Sequence, residues 1–297
     1  MSTKIAIAGI SSKLAGLIAH ELLRNQDVTV RGSCHDITKL PSSLRDSPQV
    51  TLIQTGPYDE PNLRSLVQGC DVVICCYWAD NETMVKAQKL LIDLSAEAKV
   101  NRYIASDYTI DYTKLEYGDI VEKDPMKEIK AYLDAKQDIK GVHILNGIFM
   151  ETFLDLTGVW NPETRTLRYW GTGSEKWELT TYQTCAQYVA AVALDPTAVG
   201  ITKFLGDKKS IFEIADGFEA ICKFKPTLEN RGSVQDCYQS RYSKEGFDAA
   251  VASFFYCILV GKVSLGEDLN NLRYQNVKPE TIRQLLEHRL ATAGPLG

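Results

Sequence analysis

The sequence predicts an α/β protein with a Rossmann-type, doubly wound parallel sheet and a smaller C-terminal α+β lobe. Residues 5–8 form a short apolar run, which is typical of a strand covered on both faces. After Gly9 the apolar period changes to that of a helix. This alternation of strand and helix repeats through the first half of the chain, which indicates parallel strands joined by right-handed crossovers.

Each element follows from a local pattern. The first helix is predicted because Ala15, Ile18, Ala19 and Leu22 fall on one helical face. Further strands are predicted at residues 27–34, 50–54, 71–78, 102–106 and 142–145, with short ones at 167–170 and 177–179. Helices are predicted after a cap at Asp59 and at residues 81–98, 126–135, 182–194, 211–224, 244–260 and 279–290. We expect one domain over residues 1–153 and a smaller lobe over residues 154–297, from which the chain can return to the sheet.

The turn after the first strand is a candidate phosphate site. It aims backbone N–H groups and a helix N-terminus at one point, which suits a pyrophosphate. A G-x-x-G-x-x-G pattern that starts at Gly9 has Ser12 and Ala15 at its second and third glycine positions. The next glycine, Gly16, lies one residue further along the chain. An ordinary βα turn that binds nothing explains the same residues, because a lone glycine pattern is weak evidence.

Composition excludes several classes of function. The net charge is −5 with no basic block, which argues against nucleic acid as a partner. The apolar run at residues 249–260 is too short to span a bilayer, and the N-terminus lacks the pattern of a signal peptide, so we expect a cytoplasmic protein without a membrane partner. The eight cysteines form no C-x-x-C pair, and no cluster has metal-ligand spacing, so no metal is expected.

Several stretches together resemble the NmrA-like family of atypical short-chain dehydrogenases, close to isoflavone reductase-like enzymes. They lie at residues 8–16, 30–39, 102–115, 125–135, 145–153 and 169–196, in the order of the family, and extend over nearly the whole chain. The branch of fungal secondary metabolism is the most similar. The resemblance implies a cytoplasmic NADP-dependent oxidoreductase whose first domain binds the dinucleotide.

The cofactor residues implied by the resemblance and the turn lie after successive strands. They are Gly9, Ser11, Ser12, Lys13, Leu14, Ala15, Arg31, His35, Lys39, Tyr77, Trp78, Ser106, Lys127 and Asn146. The family holds the adenosine 2′-phosphate with an Arg where this chain has His35, with Lys39 nearby and Arg31 upstream. NADP(H) is therefore favoured over NAD(H), although Asp36 offers a carboxylate of the kind that bonds the ribose of NAD.

Catalysis is expected at Asp107 and Lys127. The Tyr-x-x-x-Lys pair of typical short-chain dehydrogenases is absent from residues 108–130, and by motif Lys127 matches the Lys that the isoflavone reductase-like branch keeps. Asp107 follows the fifth strand in a long loop, where loss of water disfavours the charged carboxylate, as a general acid needs. The expected substrate-binding residues are Trp78, Asp107, Tyr108, Phe149, Met150 and Trp160.

Three functions are compatible with these residues. The first is an NADPH-dependent reductase of a small aromatic or alkaloid-like natural product. The second is an enzyme that retains the dinucleotide but performs acid–base ring closure or isomerisation. The third is a dinucleotide sensor or regulator without turnover. Each has a small molecule as its ligand, and we expect a monomer or a homodimer.

Overall fold

The computed structural model describes residues 2–293 and contains thirteen strands and eleven helices in that range. The strands are β1 (Thr3–Ala8), β2 (Val28–Cys34), β3 (Val50–Gln54), β4 (Val72–Cys75), β5 (Arg102–Ile104), β6 (Lys140–Leu145), β7 (Ile148–Phe149), β8 (Trp160–Asn161), β9 (Thr166–Tyr169), β10 (Trp177–Thr180), β11 (Gly200–Lys203), β12 (Asp207–Lys209) and β13 (Thr227–Asn230). The helices are α1 (Lys13–Leu23), α2 (Ser42–Arg45), α3 (Glu60–Val67), α4 (Asn81–Glu97), α5 (Asp124–Asp134), α6 (Met150–Asp155), α7 (Tyr182–Leu194), α8 (Ile211–Cys222), α9 (Val234–Ser240), α10 (Gly246–Leu259) and α11 (Ile282–Ala293).

A seven-stranded sheet confirms the predicted Rossmann-type fold. Its strand order is β11-β6-β5-β4-β1-β2-β3, and the pairings from β6 through to β3 are parallel. The chain leaves β1 towards β2 and β3 and then crosses over to β4 on the other side of β1. The carboxyl ends of β1 and β4 therefore border the crevice where open sheets of this class bind ligands.

The described residues divide into two compact units that alternate along the chain. The first comprises residues 2–108, 123–144 and 185–202, and the second comprises residues 109–122, 145–184 and 203–293. The boundary at residue 153 stays a prediction. None of the described helices combines the length and the hydropathy needed to cross a membrane.

The core of the first unit forms where helices cover the sheet. Ala6 and Val73 on the strands pack in one buried cluster with Leu63 and Leu91 of α3 and α4 and with Ile129 of α5. The helices begin where the sequence provides caps: Asp59 accepts a hydrogen bond from the backbone of Asn62, and Asp80 accepts one from that of Thr83. The sheet edge that carries the candidate residues therefore rests on a packed and capped scaffold.

The second unit contains two small sheets, ordered β12-β10-β7 and β13-β9-β8. Its core is aromatic: the ring of Trp177 lies 4.9 Å from Phe153 and 5.0 Å from Phe255. The short strands β7, β8, β11, β12 and β13 and the helices α2, α6 and α9 were not predicted from the sequence. Two predicted strands are shorter than expected, because β4 ends at Cys75 and β5 ends at Ile104.

Candidate active site

The turn after β1 leaves bare backbone at the crevice. Gly9 has φ +80°, a left-handed conformation that side chains disfavour. A Cβ at this position would lie only 2.9 Å from the carbonyl oxygen of Cys76, just beyond β4. The N–H groups of Gly9 and Ile10 both donate to the carbonyl of Ser33 at 2.9 Å, which ties the turn to β2. Only glycine fits this close approach of three strand ends.

Helix α1 starts immediately after the turn. Ser12 is its N-cap and accepts a hydrogen bond of 3.3 Å from the N–H of Ala15. The first-turn N–H groups of a helix have no intrahelical acceptor and carry the positive end of the helix dipole, so they bind anions. Together with the bare turn at Gly9, this helix start fits the pyrophosphate of a dinucleotide. Ser11 and Lys13, also expected here, are exposed, and Leu14 is buried.

The end of β2 carries a mixed set of charges. His35 and Lys39 are exposed, as the 2′-phosphate site requires. Asp36 lies between them and accepts bonds of 2.9 and 2.5 Å from the backbone and hydroxyl of Thr38, which hold the pKa of its carboxyl below the usual range. The Nζ of Lys39 lies 3.9 Å from this carboxylate. The local positive charge is therefore partly neutralised.

Arg31 has a structural contact within the first unit. Its Nη1 donates to the carbonyl oxygens of Ser65 at 2.6 Å, Leu66 at 3.2 Å and Gln68 at 2.8 Å. These carbonyls lie at the C-terminal end of α3, where the last helical acceptors are otherwise unsatisfied. The contact of Arg31 with adenosine, expected from the sequence, stays a prediction.

Hydrogen bonds fasten the ends of β4 and β5 to each other. The hydroxyl of Ser106 donates to the carbonyl of Tyr77 at 2.7 Å, and its N–H donates to Gln88 of α4 at 3.1 Å. The phenol of Tyr108 donates to the carbonyl of Cys75 at 3.0 Å. Tyr108 has φ +43°, an uncommon conformation for a bulky residue. The loop that carries Asp107 therefore leaves β5 in a fixed direction.

Asp107 is paired with a histidine that the sequence analysis did not identify. The Oδ2 of Asp107 lies 2.7 Å from the Nδ1 of His143 on β6, and both side chains are 1% exposed. The two residues are 36 positions apart and follow no local motif, so only the parallel pairing of β5 with β6 reveals the contact. Lys127, the other expected catalytic residue, lies half-buried near the start of α5 in the same unit.

The remaining aromatic candidates differ widely in exposure. Trp78, just beyond β4, is 95% exposed. In the second unit, Met150 is fully buried and Trp160 packs 4.4 Å from the ring of Phe218. Phe149 is half-buried and stacks on Tyr182 with ring centroids 4.0 Å apart. Phe149 and Trp78 therefore present aromatic surface, whereas Met150 and Trp160 belong to the core of the second unit.

Asn146 is a buried amide without a hydrogen-bond partner among the described residues. Its side chain is fully buried at the end of β6, and neither its Oδ1 nor its Nδ2 is bonded. Such an amide loses its hydrogen bonds to water on folding, and a bound molecule or an ordered water restores them. It is the one expected cofactor residue whose side chain has such an unmet requirement in residues 2–293.

The second unit also contains a cavity of about 220 Å³. Ile110, Ile148 and Val263 form part of its apolar wall. Glu178 lines it as well, and this carboxylate accepts bonds of 2.7 Å from the Ser264 hydroxyl and from the Leu265 backbone. The described residues include no group of three or more Cys, His, Asp or Glu side chains that is arranged to hold a metal ion.

The comparisons with known proteins agree with this architecture. The family model of the NmrA-like family matches residues 1–223. Among solved structures, the pinoresinol-lariciresinol and phenylcoumaran benzylic ether reductases give a TM-score of 0.84 at 17% identity, covering 97% of this chain and 99% of theirs. AtPrR2 with NADP+ and (+)-pinoresinol gives 0.82 at 19% identity, with coverage of 97% and 99%. The leucoanthocyanidin reductase–NADPH complex from Vitis vinifera gives 0.80 at 12% identity, with coverage of 97% and 100%. The search of curated proteins gives no match.

Proposed function

The chain belongs to the NmrA-like family, and we propose that it is an NADP(H)-dependent reductase of a small aromatic, natural-product-like molecule. The observation that carries the proposal is the bare turn at Gly9, which lies against the end of β4 and leads directly into the N-terminus of α1. A helix start at the crevice beside β1 and β4 is a ready-made anion site. Solved neighbours of the same fold that contain NADP+ or NADPH support the choice of cofactor.

The preference for NADP(H) over NAD(H) rests on the residues after β2. A 2′-phosphate forms charge-assisted hydrogen bonds, which are roughly twice as strong as neutral ones. Lys39 and His35 are both exposed there as donors, and the imidazole lacks the forked geometry of a guanidinium. Because Asp36 is ionised and lies close to Lys39, we propose a modest preference rather than an exclusive one.

The proposed chemistry divides between cofactor and protein. The nicotinamide, when bound, supplies the hydride. Asp107 supplies the proton as general acid, and Lys127 binds on the cofactor side and assists proton movement. The burial of Asp107 and its fixed loop support this assignment, because a general acid has to be held in place and shielded from water.

An aromatic substrate is supported by two kinds of observation. The structural neighbours include pinoresinol, isoflavone and leucoanthocyanidin reductases. In this chain Trp78 and Phe149 are the aromatic candidates with accessible ring surface, whereas substrate contacts of Tyr108, Met150 and Trp160 stay predictions. Exposed Trp78 is the candidate whose surface is most available in the first unit.

A second function is favoured by the Asp107–His143 pair. A carboxyl group hydrogen-bonded to an imidazole can move a proton whether or not a hydride is transferred. The alternative is therefore acid–base ring closure or isomerisation with the dinucleotide retained. A sensor without turnover remains the third hypothesis. The compartment and the oligomeric state stay predictions from the sequence.

One experiment separates these functions. The protein is titrated with NADPH and NADH by calorimetry and then incubated with a panel of lignan- and flavonoid-type compounds and NADPH that carries deuterium at the transferred position. Deuterium in the product identifies the reductase. Product formation without NADPH consumption identifies the acid–base enzyme. Tight NADPH binding with no product identifies a sensor, and absence of binding refutes the proposal.

A further inference from the structure

The strongest unassigned feature of the first unit is the buried imidazole of His143. It lies on β6, one residue beyond Val142, whose partner in the parallel register is Ile104 of β5. Gly141 lies two positions before it on the same face, where a Cβ would approach the Nε2 of His143 to 3.3 Å and Leu133 of α5 to 3.0 Å. The absence of a side chain at Gly141 therefore leaves room for the ring beside α5.

From this place the ring reaches the end of the neighbouring strand. Its Nδ1 lies 2.7 Å from the Oδ2 of Asp107, and each of the two side chains is 1% exposed. A buried carboxylate without a donor is costly, and a hydrogen bond from an imidazole N–H offsets that cost. The same bond fixes which ring nitrogen carries the proton and which carboxylate oxygen is left for other contacts.

The other titratable side chains of this cluster are thiols and phenols. Cys75 interacts electrostatically with Asp107, and burial raises the pKa of its thiol to about 12. Burial likewise raises the pKa of the Cys76 thiol and of the Tyr103 and Tyr108 phenols well above their ordinary values. These four groups are neutral near pH 7, so none of them places a charge beside Asp107.

We propose that His143 is a positioning residue for Asp107: its Nδ1–H donates to Oδ2, stabilises the carboxylate form and leaves Oδ1 as the oxygen that exchanges a proton with substrate. This inference rests on the proposed function of Asp107 as general acid. In the step itself the O–H bond at Oδ1 breaks, the proton moves to the substrate, and the carboxylate that remains is held by the N–H of His143. Solvent returns the proton to Oδ1 after product release.

The first test needs neither substrate nor cofactor. The protein is labelled with ¹⁵N-histidine, and the ring nitrogens of its four histidines are recorded, with His143→Gln to assign one set. We expect the proton of a neutral His143 ring on Nδ1, and ring shifts that change in Asp107→Asn but not in Asp93→Asn. The latter alters an ion pair with Lys136 in the same unit. A proton on Nε2, together with ¹⁵N chemical shifts of the ring that Asp107→Asn does not change, would overturn the proposal.

The second test measures the consequence for turnover. His143→Leu keeps similar bulk but removes the donor, whereas the amide of His143→Asn places an N–H near the position of Nδ1. Because Oδ2 is no longer held in the Leu variant, its kcat should fall by about tenfold to a hundredfold at unchanged KM, and the Asn variant should recover most of that loss. His288→Leu, which removes a pair with Glu280 in the second unit, should leave kcat and KM unchanged.

The two tests distinguish a failed inference from a failed function. If His143→Leu lowers only Tm while kcat and KM stay at their native values, His143 is structural and the inference is wrong. If no compound turns over, the proposed function fails, and the NMR measurement still decides whether His143 holds Asp107.

Discussion

The guanidinium of Arg31 on β2 donates a 2.8 Å hydrogen bond to the carbonyl oxygen of Gln68, the C-cap residue of α3. The same Nη1 donates to Ser65 and Leu66, so one side chain satisfies three carbonyls at the end of one helix. A positive charge at a helix C-terminus also complements the helix dipole. Arg31 therefore connects the second strand of the sheet to the helix that covers it.

The first prediction is that Arg31 contributes to stability and not to cofactor choice. Arg31→Met keeps much of the aliphatic stem but removes every donor. Hydrogen bonds from charged groups typically contribute about 1.5–3 kcal/mol, so a loss of about 2 kcal/mol in the free energy of unfolding is expected. Urea denaturation measures this loss, and calorimetry should give an unchanged ratio of NADPH to NADH affinity. A variant as stable as the native protein, with weaker binding of NADPH but not of NADH, would instead make Arg31 a ligand of the 2′-phosphate.

The second prediction concerns the bare turn. Gly9→Val should abolish dinucleotide binding, and Gly9→Ala should weaken it by more than about tenfold. Any other residue at this position has to adopt the left-handed backbone conformation. Its Cβ also has to displace the carbonyl oxygen of Cys76, which lies 2.9 Å away. Gly16→Ala is the matched control, since a Cβ there meets nothing within 4 Å and a helical Ala is stabilising by about 0.5–1 kcal/mol. A folded Gly9→Val protein that binds NADPH like the native protein would place the site elsewhere.

The sequence predicted the elements whose periodicity extends over several turns or a whole strand. The helix predicted at residues 182–194 and the strand at residues 50–54 agree residue by residue with α7 and β3. In the second unit β9 and β10 were predicted to within one residue, whereas β7, β8, β12 and β13 were missed because strands of two to four residues give at most a marginal period. β8 consists of Trp160 and Asn161 alone, and its pairing with β9 depends on tertiary packing.

The residues of the candidate site also divide into those that local sequence signals identify and those that only the tertiary structure reveals. Gly9 and Ser12 could be identified because turn and cap residues are local signals, and the structure places both at the crevice. The partner of Asp107 could not be identified, because His143 lies in a strand whose apolar pattern gives no reason for an imidazole. Likewise, nothing near Arg31 in sequence indicates its contacts with the end of α3, more than thirty residues away.

The third prediction concerns cofactor selectivity. His35→Arg should tighten NADPH binding more than NADH binding, because a guanidinium stays charged and forms two parallel bonds with a phosphate. Asp36→Asn should also tighten NADPH binding more than NADH binding, since it removes the ionised carboxylate beside Lys39. Calorimetry with both cofactors measures the ratio. Equal native affinities that neither substitution changes would exclude the end of β2 as the 2′-phosphate site.

The fourth prediction is acid destabilisation through Glu213 at the start of α8. Hydrogen bonds from Lys176 and, with a smaller effect, from the Ser210 backbone lower the pKa of Glu213 from 4.5 to about 2. Since the folded pKa lies below the unfolded value, the stabilisation is complete above pH 4.5 and is lost as the pH falls towards 2.

Glu213→Gln should therefore flatten the dependence of Tm on pH in that window. Glu219→Gln, which removes a looser surface ion pair with Lys225 in the same unit, serves as control. Thermal melts at half-unit intervals from pH 2.5 to 6 give the comparison. Parallel Tm curves for the native protein and Glu213→Gln would contradict the assignment.

The last prediction concerns catalysis. Asp107→Asn preserves the shape of the side chain and can still accept the bond from His143, but the titrating group is gone. General acid–base catalysis typically contributes ~10²–10⁴-fold, so turnover should fall by about that factor while NADPH affinity persists. Lys127→Ala should lower both turnover and NADPH affinity, because its ammonium is proposed to contact the cofactor as well as to assist proton movement. Asp93→Asn on α4, whose carboxylate bonds Tyr132 and Lys136, should leave both unchanged. Steady-state kinetics and calorimetry on the four proteins separate the two roles. An Asp107→Asn enzyme with native turnover would remove Asp107 from the chemistry and, with it, the reason for a positioning histidine.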